Sequence, residues 1–205
     1  WRRLGTEVTI IEYLDYILPP LDSEIRLNMQ KILTKQGLIF KLATKVNQVV
    51  LEKEMVRIDS ETTKEGTLES SFSDVVMVSI GRSPVTSGLG LKEIGISVSK
   101  DGFIEVDNSY QTSKPGIYAI GDVIGGMMLA HKAEDEGVCV AEIISGRKSH
   151  VNYNAIASVV YTDPEVASIG MTEEEARSAC ASAPRRTSQR PRKLMRASSP
   201  GRPWT

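Results

Sequence analysis

A short apolar segment that ends in Gly121 and Asp122 carries the clearest chemical signal in this chain. Residues 117–120 (IYAI) precede the pair, a glycine-rich turn follows, and a helix of small residues begins near Ala130. In an open α/β sheet, cofactors bind at the carboxyl ends of the strands. A carboxylate buried there needs a hydrogen-bond donor, because an unpaired buried charge is expensive. We therefore predict that Asp122 meets a polar group of a bound cofactor.

Other residues could bind a nucleotide. Glu12 ends a predicted strand, where one carboxylate can accept hydrogen bonds from both hydroxyls of a ribose. Gly81 follows another predicted strand, and a glycine there lets a ligand approach the backbone. Backbone N–H groups at the start of a helix can face electron-rich atoms, which adds the segment Met128, Leu129, Ala130 and His131. We expect a structural role for the His131 ring, and we assign no catalytic or metal-binding residue.

The predicted elements place these residues on an α/β scaffold. Strands are expected at residues 7–13, 38–42, 46–51, 55–58, 74–80, 103–106, 117–120 and 158–161, with a polar hairpin or meander loop over 59–73. One helix should start at Asp22 or Ser23 and stop at Gly37, and another should span about 130–145 with Ala133, Gly137, Ala141 and Ile144 on its packing face. The order Thr172-Glu173-Glu174-Glu175 is a capping box that starts a third helix.

Charge and cysteine content exclude several functions. The net charge is −1, but eight of the 25 Lys and Arg residues, and no acidic residue, lie from Arg177 onward. The preceding body is therefore acidic, which argues against nucleic acid as a main partner. No apolar stretch approaches the ~20 residues of a membrane span. Cys139 and Cys180 are far apart and form neither a Cys-x-x-Cys motif nor a metal-ligand spacing.

The segment TSKPGIYAIGDVIGGMMLAHKAEDEG resembles the second FAD-binding motif of the flavoprotein disulfide reductases, and it is most similar to that of the dihydrolipoamide dehydrogenases. Three further segments fit this family: W-R-R-L-G-x-x-V-T-x-x-E, which ends at Glu12; I-G-R-x-P, which includes Gly81; and T-x-P-E-V, which ends at Val166. The resemblance covers about residues 1–179. It implies partial Rossmann-like FAD- and NAD(P)-binding domains with a β-meander, followed by the start of an α+β dimerisation domain.

The resemblance also implies cofactors, partners and location. Gly121, Asp122 and residues 128–131 would contact FAD, whereas Glu12, Val46 and Gly81 would contact NAD, and a carboxylate at Glu12 would repel the 2′-phosphate of NADP. Members of the family are homodimers that act on the lipoyl domains of 2-oxo acid dehydrogenase complexes, in the bacterial cytoplasm or the mitochondrial matrix.

Parts of the family pattern do not occur among these residues. The N-terminal glycine-rich loop, the redox disulfide and the C-terminal His-Glu pair are missing, and His150 lies outside that pair's motif. We therefore expect a fragment whose true N-terminus lies upstream, and a chain that is inactive as it stands. The expected parts are the rear of the NAD domain with the meander (1–80), an FAD-contacting segment (81–148), the start of the interface domain (149–179), and a basic, disordered tail (180–205) produced by a reading-frame slip or gene fragmentation.

Three alternatives stay open from the sequence. The chain could derive from another disulfide reductase, of the glutathione or mercuric type. It could be a non-catalytic nucleotide-binding or dimerisation module, or an unstable product without function. The basic tail could also be a nucleic-acid or targeting arm, although its lack of interleaved aromatic residues supports only non-specific binding.

Overall fold

The computed structural model describes residues 1–182, which form two compact units. Of the described residues, the first unit comprises Trp1–Val78 and 171–182, and the second comprises Ser79–Gly170. The residues from 183 to the C-terminus, where most of the predicted disordered tail falls, lie outside the described part of the chain.

A β-α-β unit opens the first unit, as the α/β prediction requires. A 3-10 turn (Arg2–Leu4) ends at Gly5, whose φ of 95° is the left-handed conformation expected after a helix end. Strand β1 (Val8–Ile11) pairs in parallel with β2 (Leu38–Lys41), and helix α1 (Ser23–Lys35) connects them. Asp22 is the N-cap of α1, and Met29 and Leu33 are its buried residues. Parallel pairing requires such a crossover and aligns the carboxyl ends of both strands at one edge.

A three-stranded antiparallel meander follows. Its strands are β3 (Thr44–Glu52), β4 (Met55–Thr62) and β5 (Leu68–Ser73), and a register shift lies between Val46 and Gln48. The predicted loop over 59–73 is therefore wrong in its extent, because β4 continues to Thr62 and β5 occupies most of the remainder. Nearly all residues of this stretch are exposed or half-buried, with Ser60 the buried exception, so its polar composition is compatible with antiparallel strands that face water.

The second unit packs loops around a small core and one long helix. Ile96, Ile104 and Ala119 form this core. The helix is α2 (Ala130–Ile144), preceded by a 3-10 turn at Gly121–Ile124 and followed by another at Tyr153–Ala155. Strands β6 (Ser158–Val160) and β7 (Val166–Ser168) then form an antiparallel hairpin, whose connection contains a cis peptide bond before Pro164.

Three predicted strands are absent from the described residues. Residues 74–80 have no ladder, and residues 103–106 and 117–120 make only isolated bridges, such as the one that joins Gln111 to Tyr118. Their composition favours a strand, but a strand requires a neighbour for its backbone N–H and C=O groups. The apolar side chains of the first segment are consequently exposed: Met77 is 65% and Ile80 94% accessible.

The predicted capping box is present at the start of helix α3 (Glu173–Ser182). The backbone N–H of Glu175 donates to Thr172 Oγ1 at 3.2 Å, and the backbone N–H of Thr172 donates to Glu175 Oε2 at 2.8 Å. This reciprocal pair satisfies two N–H groups at the helix start. The helix runs to Ser182, so residues 180–182 of the predicted tail are helical.

Candidate functional site

The Gly121–Ile124 turn presents Asp122 to solvent. Gly121 is buried and has a φ of 78°, and Gly125 closes the turn with a φ of 82°. Both values lie in the left-handed region that favours glycine. The Asp122 side chain is 49% exposed, and its Oδ2 lies 3.6 Å from Arg82 Nη1. The premise of a buried carboxylate is therefore wrong: the segment before it forms no buried strand, so Asp122 lies at a surface.

The N-terminus of α2 follows this turn with its N–H groups uncapped by side chains. Leu129 is the N-cap and makes no side-chain capping hydrogen bond. Met128 and Leu129 are half-buried, and Ala130 is exposed. The His131 ring donates through Nε2 to the carbonyl of Ala157 at 2.7 Å, since a carbonyl oxygen can only accept. This bond anchors the ring against the segment before β6, in agreement with a structural role.

A buried ion pair supports the turn, and the sequence interpretation missed it. Lys132 Nζ lies 2.9 Å from Glu136 Oε1, and their side chains are 2% and 0% exposed. Glu136 Oε2 accepts the Gly121 N–H at 2.7 Å. Lys132 Nζ donates to the carbonyls of Gly125 at 2.9 Å and Gly121 at 3.3 Å. The two side chains therefore hold both ends of the turn that carries Asp122.

Two tyrosines extend this network. Tyr153 donates its hydroxyl to Glu136 Oε1 at 2.8 Å, and its oxygen lies 2.9 Å from that of Tyr110. Burial, followed by the hydrogen bonds with Tyr110 and Glu136, raises the pKa of Tyr153 strongly above its usual value. Burial also raises the pKa of Tyr110. Both phenols are thus held protonated beside the carboxylate.

The predicted packing face of α2 is only partly correct. A Cβ at Gly121 would lie 3.2 Å from Ala133 Cβ, and one at Gly137 would lie 3.4 Å from Ile120, so this part of the helix does pack closely. Ala141 and Ile144 are exposed, however, and Lys132, Glu136 and Cys139 are buried instead. The signal in the sequence was the i, i+4, i+7 spacing of these three residues on one helical face; Lys and Glu are ordinarily assigned to the surface.

Glu12 and Val46 lie in the first unit. Glu12 directly follows β1, as predicted, and its Oε1 accepts the Leu14 N–H at 2.9 Å. The backbone N–H of Thr44 donates to the Glu12 carbonyl at 2.9 Å, which joins the start of β3 to this strand end. Val46 follows in β3 and is 42% exposed. The structure thus brings Glu12 and the beginning of the Val46 strand together.

Gly81 lies in the second unit, beside the residue that contacts Asp122. Its φ is 135°, and a Cβ built there would have no described atom within 4 Å. The neighbouring Arg82 guanidinium makes the contact with Asp122 described above. Gly81 therefore directly precedes, in sequence, a residue whose side chain contacts Asp122.

The fit of a flavin nucleotide can be judged from the groups around this turn. An exposed carboxylate can accept hydrogen bonds from hydroxyls, an uncapped helix start offers N–H donors, and a Cβ at Gly126 would meet no described atom within 4 Å. These groups suit the polar chain and electron-rich ring of a flavin. Within residues 1–182, no group of three His, Cys, Asp or Glu residues could hold a metal ion.

Comparison with known proteins identifies the family. Residues 1–137 match the pyridine nucleotide-disulphide oxidoreductases, and residues 156–193 match the dimerisation domain of that family. The second match continues beyond residue 179, where the sequence interpretation placed the end of the resemblance. Membership implies a flavin and a nicotinamide cofactor, and the dimerisation domain implies a homodimer in the family. In the described part of the chain, no helix is both long and apolar enough to cross a membrane.

Curated relatives include bacterial and mitochondrial proteins. The chain is 49% identical over 175 residues to dihydrolipoyl dehydrogenase 3 of Pseudomonas putida, covering 85% of this chain and 37% of that protein. It is 48% identical over 175 residues to the mitochondrial dihydrolipoyl dehydrogenase of Pisum sativum, covering 85% of this chain and 35% of that protein. The chain therefore spans about a third of the length of these relatives.

Solved structures of similar proteins share the fold of this chain. The HOCl-induced flavoprotein disulfide reductase RclA of Escherichia coli, in a Cu(II) complex, superposes with a TM-score of 0.78 at 29% identity, covering 87% of this chain and 40% of that chain. LpdA of Mycobacterium tuberculosis gives a TM-score of 0.77 at 26% identity, covering 87% and 38%. These matches confirm the predicted mixed α/β fold. Because the family match covers more than half of the 205 residues, this chain belongs to the pyridine nucleotide-disulphide oxidoreductases.

Proposed function

We propose that this chain carries the central, cofactor-contacting part of a dihydrolipoyl dehydrogenase, which oxidises protein-bound dihydrolipoamide and reduces NAD. The identity of 48–49% to dihydrolipoyl dehydrogenases supports this activity over that of another disulfide reductase, since the flavoprotein disulfide reductase that superposes on it is 29% identical. The observation that carries the proposal is the anchored Gly121–Ile124 turn, with Asp122 projecting beside the uncapped start of α2.

In this proposal the chain's own residues bind and orient FAD. The Asp122 carboxylate accepts a hydrogen bond from a ribityl hydroxyl. The N–H groups at the start of α2, over residues 128–131, face the electron-rich edge of the flavin. When bound, the flavin would supply two-electron transfer between a dithiol and a nicotinamide.

The nucleotide that receives the hydride is proposed to be NAD. Glu12 stands at the carboxyl end of β1, where its carboxylate can accept from the ribose hydroxyls. The Val46 strand lies beside it through the Thr44 hydrogen bond. In the second unit, taken by itself, the open space around Gly81 would let a nucleotide approach the backbone. A negative charge at Glu12 disfavours the 2′-phosphate of NADP.

The chain as given is proposed to bind cofactor without turning over. Its two cysteines are Cys139, which is buried, and Cys180, which is exposed. Cys139 and Cys180 are 41 positions apart, and in the described residues they do not form the disulfide that a substrate dithiol would reduce. The proposal also includes self-association through the region matched to the dimerisation domain. It further includes contact with lipoyl domains and a location in the bacterial cytoplasm or mitochondrial matrix.

FAD titration of the purified chain tests the flavin site. Quenching of flavin fluorescence should give saturable binding, and Asp122→Asn should weaken it by about tenfold or more, the effect of losing one charged hydrogen-bond acceptor. Asp101→Asn is the matched control, because Asp101 is also an exposed aspartate of the second unit. Equal affinities in the two variants would contradict the role of Asp122.

A second titration tests the nicotinamide site. Glu12→Gln keeps an oxygen that can accept the Leu14 N–H but removes the charge. It should reduce the preference for NAD over NADP, whereas Glu7→Gln, an exposed glutamate just before β1, should leave it unchanged. An unaltered preference in Glu12→Gln would refute discrimination by this carboxylate.

A further inference from the structure

One ion pair holds both ends of the turn that presents Asp122. Glu136 takes the backbone N–H of Gly121 at the first residue, at 2.7 Å. Lys132 Nζ donates to the carbonyl of Gly125, the residue that closes the turn, at 2.9 Å. The two side chains lie one helical turn apart on α2 and are almost completely buried. Helix α2 therefore contacts the turn through hydrogen bonds from its side chains to the backbone of the turn.

Every polar atom of the pair has at least one hydrogen-bond partner. A lysine ammonium has three donors, and Lys132 directs them to Glu136 and to the carbonyls of Gly121 and Gly125. Glu136 accepts from Lys132, from the Gly121 N–H and from the Tyr153 hydroxyl. A fully satisfied buried network rigidifies the groups it joins.

The turn itself needs such support. It begins and ends at glycines with φ of 78° and 82°, and glycine loses more conformational freedom on folding than any other residue. The middle of the turn is held by the Ile104 N–H, which donates to the Val123 carbonyl at 2.8 Å. Without fixed partners for their own N–H and C=O groups, the two glycines at its ends would sample many conformations. Asp122, which lies between these glycines and is exposed, would then have no fixed direction.

We propose that Lys132 and Glu136 are positioning residues for the flavin site, which fix the turn before the cofactor arrives. Neither side chain reaches solvent, so they act through the backbone of Gly121 and Gly125. Preorganisation of this kind increases affinity because the cost of ordering is met during folding. The identity of the ligand rests on the proposed function; the anchoring of the turn does not.

Amide hydrogen exchange of the unliganded chain tests the anchoring directly. The double variant Lys132→Met/Glu136→Leu removes both anchors without leaving an unpaired buried charge. It should accelerate exchange at Gly121, whose N–H loses its acceptor, by about tenfold or more. Exchange at Gly125, whose N–H donates to the Asp122 carbonyl inside the turn, should also rise because the turn opens more often. The amides of Ile96 and Thr112, which bond to Leu91 and Ile117, should keep their wild-type rates. A uniform acceleration across the second unit, or none at Gly121, would show a merely structural pair.

A conservative variant covers the case in which the double variant does not fold. Glu136→Asp keeps the charge balance but draws the carboxylate back by one methylene, away from Gly121. Exchange at Gly121 should again rise selectively, and an unchanged rate there would overturn the proposal. Glu134→Gln is the control, since Glu134 is an exposed glutamate of the same helix and should behave as wild type.

FAD titration of the same proteins separates the two hypotheses. If wild type binds FAD and the double variant binds about tenfold or more weakly, positioning is supported. If both bind equally while the turn exchanges faster, the pair does not serve the flavin site and the proposal is wrong. If wild type binds no FAD, the proposed function fails for this chain, and the exchange rates alone decide whether the pair anchors the turn.

Discussion

Replacement of Lys132 by Met would leave the Glu136 carboxylate without its cation at a position where its side chain has 0% exposure. Removal of one partner of a buried ion pair typically costs about 3–5 kcal/mol, because the remaining charge is uncompensated. Two further donors, the Gly121 N–H and the Tyr153 hydroxyl, stay on Glu136 and offset part of this. The Gly125 carbonyl, and the more distant Gly121 carbonyl, lose their Lys132 donor, at about 1 kcal/mol. We therefore expect a loss of about 4 kcal/mol from the free energy of unfolding.

The reciprocal variant and the double variant complete the cycle. Glu136→Leu leaves the buried Lys132 ammonium without its anion and should lower the free energy of unfolding about as much as Lys132→Met does. Replacing both residues should cost far less than the sum, since buried pairs exchanged for apolar residues of similar size are often neutral. The coupling energy should therefore exceed about 2 kcal/mol. Opening free energies from hydrogen exchange of α2 amides measure this unit separately from the first, and Lys148→Met, an exposed lysine, supplies the control.

The outcome that would refute the reasoning is additivity. If the two single variants cost less than about 1 kcal/mol each and simply add, the pair behaves as an exposed surface ion pair does. The two side chains would then be accessible to water in solution and would not form a buried network. Strong coupling would confirm that the two charges stabilise each other inside the second unit.

Two further predictions concern the glycines of the turn and the Tyr153 phenol. Gly121→Ala and Gly126→Ala both impose a left-handed conformation on alanine, at about 1 kcal/mol; only Gly121→Ala also places a Cβ 3.2 Å from Ala133, so its urea midpoint should fall further. The raised pKa of Tyr153 means that the folded protein keeps a proton which the unfolded chain loses above about pH 10, so stability falls as pH rises through that range. Tyr153→Phe should flatten this fall, whereas Tyr161→Phe, 82% exposed in wild type, should not; equal slopes in the two variants would contradict the assignment.

Local signals in the sequence were sufficient for the helices. The start of α1 at Asp22, the stop near Gly37, and α2 over Ala130–Ile144 follow from caps, glycines and periodicity. Thr172 and Glu175 likewise determine the start of α3 through a pair of hydrogen bonds that the capping box predicts. These features depend on residues within about one turn of each other, which is the range that sequence patterns describe.

Strands were predicted less well because pairing is not local. The composition of residues 74–80 favours a strand as strongly as that of β1, yet only β1 has a described partner, β2, to complete its hydrogen bonds. Conversely, the polar stretch 59–73 becomes mostly strand because the meander supplies partners on both sides of β4. Whether a segment forms a strand therefore depends on the presence of a neighbouring strand as well as on its own composition.

The candidate site shows the same division between residue and scaffold. The sequence identified Asp122, Glu12 and the helix start by residue type and position, but it placed the Asp122 carboxylate in the interior. The structure places that carboxylate at the surface and puts the charges of Lys132 and Glu136 inside. A free carboxylate can bind a ligand only if it is accessible, while its backbone must be held by groups that solvent does not reach. The requirement for accessibility is enough to identify Asp122 from the sequence. The residues that hold its backbone can be identified only when the packing face of α2 is known. In the sequence, the lysine and glutamate of HKAEDEG look like surface residues, and only the structure shows that they contact Gly121 and Gly125.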